Sequence, residues 1–398
     1  MSAASDAIDI LTRQYYNAVV AALGVSSKQF QLGQGSISLG TTSTLIWAKF
    51  DSLPPAALNN YFNSSEWNSF GSTYGAVINN LVPQDSGAMA NLLGDDYLSW
   101  TQYKTLPPEP LPTTPDGLLD LAQIKKIQFQ RWALENGISN ETVIAGIGIL
   151  SQVDFISAAA VKWQAASKKG VFAYTATQQG LKNAIDRGQS KTVNLDSSTE
   201  STDTSHSWAS GQVSGGYGFF SASVSASWDK FSQDIQKSGV KLNIKFEKVA
   251  TLSGGPLLTV NQLDTDLSKY LPWYDSKAIQ TAYTEDNNTV WKRTAPTWEG
   301  TFGSNGNLKN LTVALIVVDG VTTTTTTTAS VSKTDQESFK AAAQAGYWPF
   351  FQASGQGGWT TEVTFNDKGE VTVTSSSKTG NPNVIGVLVS PFKDAFKG

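Results

Sequence analysis

From Gly216 to Trp228 the chain reads GYGFFSASVSASW, with serine at every second position over much of it. Side chains along a β-strand alternate between two faces. Phe220, Ala222, Val224, Ala226 and Trp228 therefore share one face, and Ser221, Ser223, Ser225 and Ser227 the other. The next apolar run follows the same rule, with Val240, Leu242, Ile244 and Phe246 set against Lys241, Asn243, Lys245 and Glu247. So does a later one, where Trp359, Thr361, Val363 and Phe365 alternate with Thr360, Glu362 and Thr364. A helix, with its period of 3.6, would scatter these apolar side chains around its circumference. The pattern is that of an antiparallel sheet with one buried and one wet face.

Two of these stretches align. Gly216-Tyr217 matches Gly346-Tyr347 when the second copy carries one extra residue. Phe219-Phe220 then fall on Phe350-Phe351, Ala222-Ser223 on Ala353-Ser354, and Trp228 on Trp359. New strands are expected after each Trp, at Val240 and at Val371, and each copy ends near a proline, Pro256 or Pro382. A two-copy repeat is therefore expected over about 189–262 and 309–398. Its aromatic residues Tyr217, Phe219, Phe220, Trp228, Tyr347, Trp348, Phe350, Phe351 and Trp359 are the candidate binding residues, because aromatics are favoured anchors of interfaces.

The rest of the chain sets the fold class. Ile8, Leu11, Tyr15, Ala18 and Ala22 recur at helical spacing before Gly24, a C-terminal stop. Strand and turn material is expected over 30–50, where β-branched residues and glycines mix. Helical segments follow around 56–62, 67–81 and 86–103. Five prolines crowd between Pro107 and Pro115; proline fixes φ, so this reads as an extended connector. Thr114, Pro115 and Asp116 have the chemistry of a helix start, with the helix ending at Gly137. Further helices are expected over 152–168, 178–186, 276–284 and 337–344. Asp319-Gly320 suits a type I′ turn between two strand-like runs, and Asn366–Gly369 suits a second hairpin. The expected class is α+β: a mainly helical N-terminal half, then an antiparallel β-rich half, as sandwich or bent sheet, with helical insertions. The expected divisions are a mixed region 1–106, the connector 107–115, a helical region 116–188 and the β-rich region 189–398.

Charge and composition exclude several classes. Only 16 % of the 398 residues are charged and the net charge is −4, against about 25 % charged residues in an ordinary soluble domain. No basic stripe is present, so nucleic acid is not an expected partner. Lysines such as Lys125-Lys126 and Lys168-Lys169 read as solvated ends of helical faces. Cysteine is absent, which removes disulfides, thiolate metal sites and cysteine nucleophiles. The N-terminus lacks the basic start and apolar run of a signal peptide. The chain reads as soluble when made, with any export by another route.

Catalytic equipment is sparse. His206 is the only histidine; one histidine cannot build a multi-histidine metal site, and no G-x-S-x-G turn offers it a nucleophile. Phosphate-loop and calcium-loop spacings fail. Carboxylates beside aromatics could process sugars; Glu285 and Asp286 near Tyr283, and Glu299 beside Trp298, are the weak candidates. Asp95-Asp96 reads as a helix-breaking turn. Neither a cofactor nor a metal is expected.

The Ser/Thr-rich alternating segments also resemble, in pattern over about a fifth of the chain, the hairpins that soluble β-pore-forming toxins keep folded away until they oligomerise. The first expectation is a non-enzymatic interaction or self-assembly protein, acting through a Ser/Thr- and aromatic-rich β surface and partnering further copies of itself. A pore-forming protein meeting membrane lipid is the alternative that the resemblance implies. A carbohydrate-binding or carbohydrate-active protein meeting a glycan is the second alternative.

Overall fold

The computed structural model describes residues 3–40, 42–54, 69–103, 110–115, 117, 119–152, 154–199, 234, 237–259, 267–344 and 359–394. The aromatic segments of the expected repeat, Gly216–Trp228 and residues 346–358, lie outside them. The strands are β1 (Phe30–Ser38), β2 (Gln189–Asp196), β3 (Val240–Ser253), β4 (Asn310–Ser330), β5 (Trp359–Phe365), β6 (Glu370–Ser377) and β7 (Asn383–Pro391). The helices are α1 (Ala3–Leu23), α2 (Ser43–Phe50), α3 (Phe70–Asn79), α4 (Gln84–Leu93), α5 (Tyr97–Tyr103) and α6 (Leu121–Glu135). They continue with α7 (Asn140–Leu150), α8 (Phe155–Lys168), α9 (Gln178–Asp186), α10 (Ser276–Thr284), α11 (Trp298–Phe302) and α12 (Gln336–Gln344). The fold is mixed α+β: helices fill most of the N-terminal part, and an antiparallel sheet most of the C-terminal part.

The chain forms two compact units, each discontinuous: Met1–Ser65 with Ala176–Gly255 and Asn310–Ser390, and Glu66–Thr175 with Pro256–Lys309 and Pro391–Gly398. Residues 110–115 of the proline-rich stretch fall within the second.

The first unit is built on one seven-stranded sheet in the order β1-β7-β4-β3-β2, with β6 also paired to β4 and β5 to β6. The alternation read in the sequence places its side chains. Val240, Leu242, Ile244 and Phe246 of β3 are buried, and Lys241, Asn243, Lys245 and Glu247 are exposed. In β5 Trp359, Thr361, Val363 and Phe365 turn inward, while Thr360, Glu362 and Thr364 are exposed. Tyr15, Tyr16, Ala18 and Val19 of α1 and Phe339 of α12 close the inner face. Gly24 ends α1 as expected, its N–H donating to Val20 O.

The expected turn at Asp319-Gly320 does not form. β4 runs straight through, in register with β3 from Val240–Thr327 to Ser253–Ala314. A ladder of this length outweighs a two-residue turn preference. Asp-Gly serves another purpose here. Along its second edge β4 pairs with β6 up to Val321–Ser377, then with β7. Gly320 takes a positive φ of 68° at that change of partner, a conformation glycine adopts without steric cost. The buried Asp319 carboxylate accepts the N–H groups of Gly380 and Asn381 at 2.9–3.1 Å, capping the β6–β7 turn. The Asn366–Gly369 hairpin does form between β5 and β6.

The threonine run splits by face. Thr322, Thr324, Thr326 and Thr328 point outward, and Thr323, Thr325 and Thr327 are buried. Thr327 Oγ1 donates to Gly239 O, but Thr323 Oγ1 has no hydrogen-bond partner among the described residues, at 2 % exposure. A buried hydroxyl without a partner is destabilising. Thr323→Val should therefore raise the unfolding free energy by about 1 kcal/mol, measured by urea denaturation; a loss would show that the hydroxyl is satisfied.

Two further elements differ from the sequence expectation. Residues 43–50 form helix α2 rather than strand, with Thr42 accepting Leu45 N–H as N-cap and Ile46, Trp47 and Phe50 buried on one side. Helix α6 starts at Asp120, which accepts Gln123 N–H; Thr114 instead accepts from Gly117 N–H in a turn of its own. Gly137 does terminate the helical stretch, with φ 65°.

In the second unit α4, α5, α6 and α7 meet around Trp100, Phe129 and Trp132, whose ring centroids lie 5.2–5.7 Å apart. Helix α3 comes close to α8, where Trp163 lies over Gly75 so tightly that a Cβ there would meet the indole at 1.9 Å. Trp163 Nε1 donates to Gly71 O at 2.7 Å. Trp273 is enclosed by Phe70, Tyr74, Phe172, Tyr174 and Tyr274. Among the described residues no single helix is long and apolar enough to cross a membrane.

Candidate functional site: the hydroxyl face of the sheet

The outward face of the first unit's sheet follows from register. Across β2, β3, β4, β6 and β5 one row reads Asn194, Asn243, Thr324, Thr374, Glu362. The row on one side reads Thr192, Lys245, Thr322, Ser376, Thr360, and the row on the other reads Asp196, Lys241, Thr326, Thr372, Thr364. Strand geometry spaces such side chains about 4.8 Å apart across the sheet and about 6.7 Å along it. Asn243 donates to Asn194 Oδ1, and Thr360 and Ser376 share a hydroxyl contact of 2.9 Å. Most members are neutral, and each hydroxyl can both donate and accept. The outward threonines of β4 alone form one line; pairing with β6 and β5 extends it into an array.

At the end of the sheet where β2 meets β3, this face runs into a cleft of about 350 Å³ lined by Asp196, Lys241, Thr328, Thr364, Asn366 and Glu370 among others. The Ser198 hydroxyl and N–H, with smaller help from Lys241, hold the Asp196 carboxyl below its ordinary pKa. Asp196 is therefore an ionised acceptor at neutral pH and no proton donor. The chemistry available here is multiple hydrogen bonding to a surface that presents donors and acceptors.

Of the candidate aromatics, Trp359 lies in the described residues. It is half-buried, opposite Ser377, and packs against the core on the face away from the hydroxyl rows. Tyr217, Phe219, Phe220, Trp228, Tyr347, Trp348, Phe350, Phe351 and His206 lie outside the described residues. Glu285 is exposed at the end of α10, where it accepts from Asn287 Nδ2 at 3.0 Å, and Asp286 follows it into solvent. Glu299 is exposed in the first turn of α11. Tyr283 and Trp298 do meet, with Trp298 Nε1 donating to Tyr283 O at 2.9 Å. None of these three carboxylates lines the cleft. Asp95-Asp96 forms the exposed turn that separates α4 from α5. No group of three or more potential metal ligands occurs among the described residues.

Lys125 is a correction. Instead of a solvated helix end it is a half-buried ammonium, 2.6 Å from Asp85 and 3.1 Å from Asp154. These partners lie far apart in sequence, so no local spacing announced them. Asp154 also caps α8, accepting both the N–H and the hydroxyl of Ser157. Burial opposes charge on both groups. For Asp154 the Ser157 hydroxyl and the Lys125 charge outweigh it, and the pKa falls below the ordinary 3.8. For Lys125 the two carboxylates outweigh it, and the pKa rises above 10.5.

The stabilising effect of Asp154 is therefore present above pH 3.8 and lost as pH falls through its lower folded-state value. That of Lys125 is present below pH 10.5 and lost as pH rises past its higher folded-state value. Asp154→Asn should flatten the acid limb of stability between about pH 5 and about pH 2, measured by denaturant unfolding at each pH. An unchanged slope would remove the carboxylate from the acid response.

Compared with protein-family models, with curated proteins and with solved structures, the chain matches none of them.

Proposed function

We propose that the chain is a non-enzymatic interaction or self-assembly protein, and that the hydroxyl face of its sheet is the working surface. The observation that carries this reading is the three outward rows, five strands wide, made mostly of Ser, Thr and Asn. A surface of this kind is wetted by neutral groups that can exchange water for a partner's donors and acceptors without removing charges from water, which is the costly step for ionic surfaces. Strand β5 adds an edge that, among the described residues, pairs only with β6 and carries one charged residue, Glu362. Unpaired strand edges are templates for further pairing. The aromatic repeat belongs to the proposal as its second half. Its support is that Val240 and Val371, which follow Trp228 and Trp359 at matching intervals, both register with Thr327 from opposite edges of β4.

The test is light scattering coupled to size exclusion over a wide concentration range. The mass should exceed that of the 42.6 kDa chain and rise with concentration. A Thr322→Glu, Thr374→Lys variant, which sets each new charge opposite one of the other sign (Lys245 and Glu362), should return to the monomer with its melting temperature nearly unchanged. A strict monomer that also binds nothing on a glycan or lipid array would end the proposal. Dye leakage from liposomes would move the function to the pore-forming alternative.

A further inference from the structure

The second unit holds a cavity of about 320 Å³ between the start of α4, the first two turns of α6, the end of α7 and α8. That size falls in the range of small-molecule sites. Its lining includes the apolar residues Leu121, Ala122, Leu150, Ala158 and Val161 and the charged residues Asp85, Asp120, Lys125, Asp154 and Lys162. The charges are unevenly committed. Lys125 is held by Asp85 and Asp154. Lys162 is held by Asp275, which is not part of the lining. Asp120 caps α6 through one oxygen, bonded to Gln123 N–H at 3.0 Å, and among the described residues no cation pairs with it. Three carboxylates thus face one ammonium not committed elsewhere. An anionic ligand would meet repulsion, and a purely apolar one would strip water from Asp120 without replacing it.

We infer that this cavity binds a small amphiphilic amine, its apolar body between Ala122, Leu150, Ala158 and Val161 and its ammonium on Asp120. The inference is independent of the sheet face, which belongs to the other unit. Lys125 serves as a positioning residue, holding Asp85 and Asp154 and thereby the separation of α4, α6 and α8. A carboxylate that gains a charged donor in a partly dry site discriminates against a neutral analogue by about tenfold or more.

The experiment titrates the full chain by calorimetry with three probes of one shape: 4-phenylbutylamine, 4-phenylbutanol and 4-phenylbutyrate. The amine should saturate one site about tenfold more tightly than the alcohol, with the butyrate weakest. Asp120→Asn keeps a capping oxygen, since Asn caps as well as Asp; it should leave the melting temperature in place and make amine and alcohol bind alike. Ala158→Phe should fill the cavity and abolish binding of every probe. The inference is overturned if no probe saturates the folded protein, if the butyrate binds tightest, if amine and alcohol already bind alike, or if Asp120→Asn keeps the amine preference.

Discussion

Trp273→Ala is expected to lower the unfolding free energy by about 3–5 kcal/mol, the largest loss for a single substitution in the second unit. The indole is fully buried, with five aromatic rings at centroid distances of 4.9–6.0 Å. Its removal would leave a cavity that rings fixed on α3, on residues 172–174 and at Tyr274 cannot all collapse into, and the surrounding dispersion contacts would be lost outright. Nε1 also donates to Ala173 O at 2.6 Å, so truncation strands a buried carbonyl. Trp273→Phe restores part of the ring packing but not the donor, and should recover roughly half of the loss. Differential scanning calorimetry checks both. A loss below about 1 kcal/mol for the alanine variant would mean that the cluster repacks freely.

Asp319→Ala is expected to cost about 2–3 kcal/mol in the first unit. The carboxylate receives three N–H contacts from two successive backbone groups, and hydrogen bonds to a charged acceptor are the stronger kind. Without it the Gly380 and Asn381 amides lose their acceptor where β6 hands over to β7. Amide hydrogen exchange offers a readout besides stability: both amides should exchange faster in the variant, while amides in the β3–β4 ladder change only with global stability. Asp319→Asn, which keeps one acceptor oxygen, should fall between. Unchanged exchange at Gly380 and Asn381 would remove Asp319 from the turn.

These two residues also mark what the sequence could reveal. Local signals with a single physical meaning were legible. The helices expected over 178–186 and 276–284 form with those bounds, capped by Thr177 and Asp275. The alternation over residues 240–247 of β3 and in β5 puts each of those side chains on its expected face, because a period of two survives any arrangement of neighbours. Signals whose outcome depends on distant partners were not legible. Asp319-Gly320 has the local chemistry of a turn, and only the ladder to β3 and the change from β6 to β7 overrule it. Residues 43–50 carry strand-like composition, yet burial of Ile46, Trp47 and Phe50 in the first unit selects helix. Thr114 and Asp120 both have capping chemistry, and tertiary packing chose the second.

The candidate site divides the same way. The outward faces of β3 and β5 are legible in each strand alone, but the array of hydroxyl rows comes from the pairing order β2-β3-β4-β6-β5, which no spacing encodes. The ammonium at Lys125 needed carboxylates 40 and 29 residues away, and so looked like an ordinary helix-surface lysine.

The pairing of β1 with β7 has a consequence for how the protein is made. Phe30 registers with Leu388, and Ser38 with Asn383. A nascent chain therefore carries β1 through the synthesis of 345 further residues, from Ser38 to Asn383, before the ribosome delivers the partner that fixes it. Contacts of such sequence separation form slowly, and a strand that carries Phe30 and Leu32 for the core is exposed to other chains meanwhile. Completion of this sheet waits for β7, and chaperone demand before then should fall on its early segment.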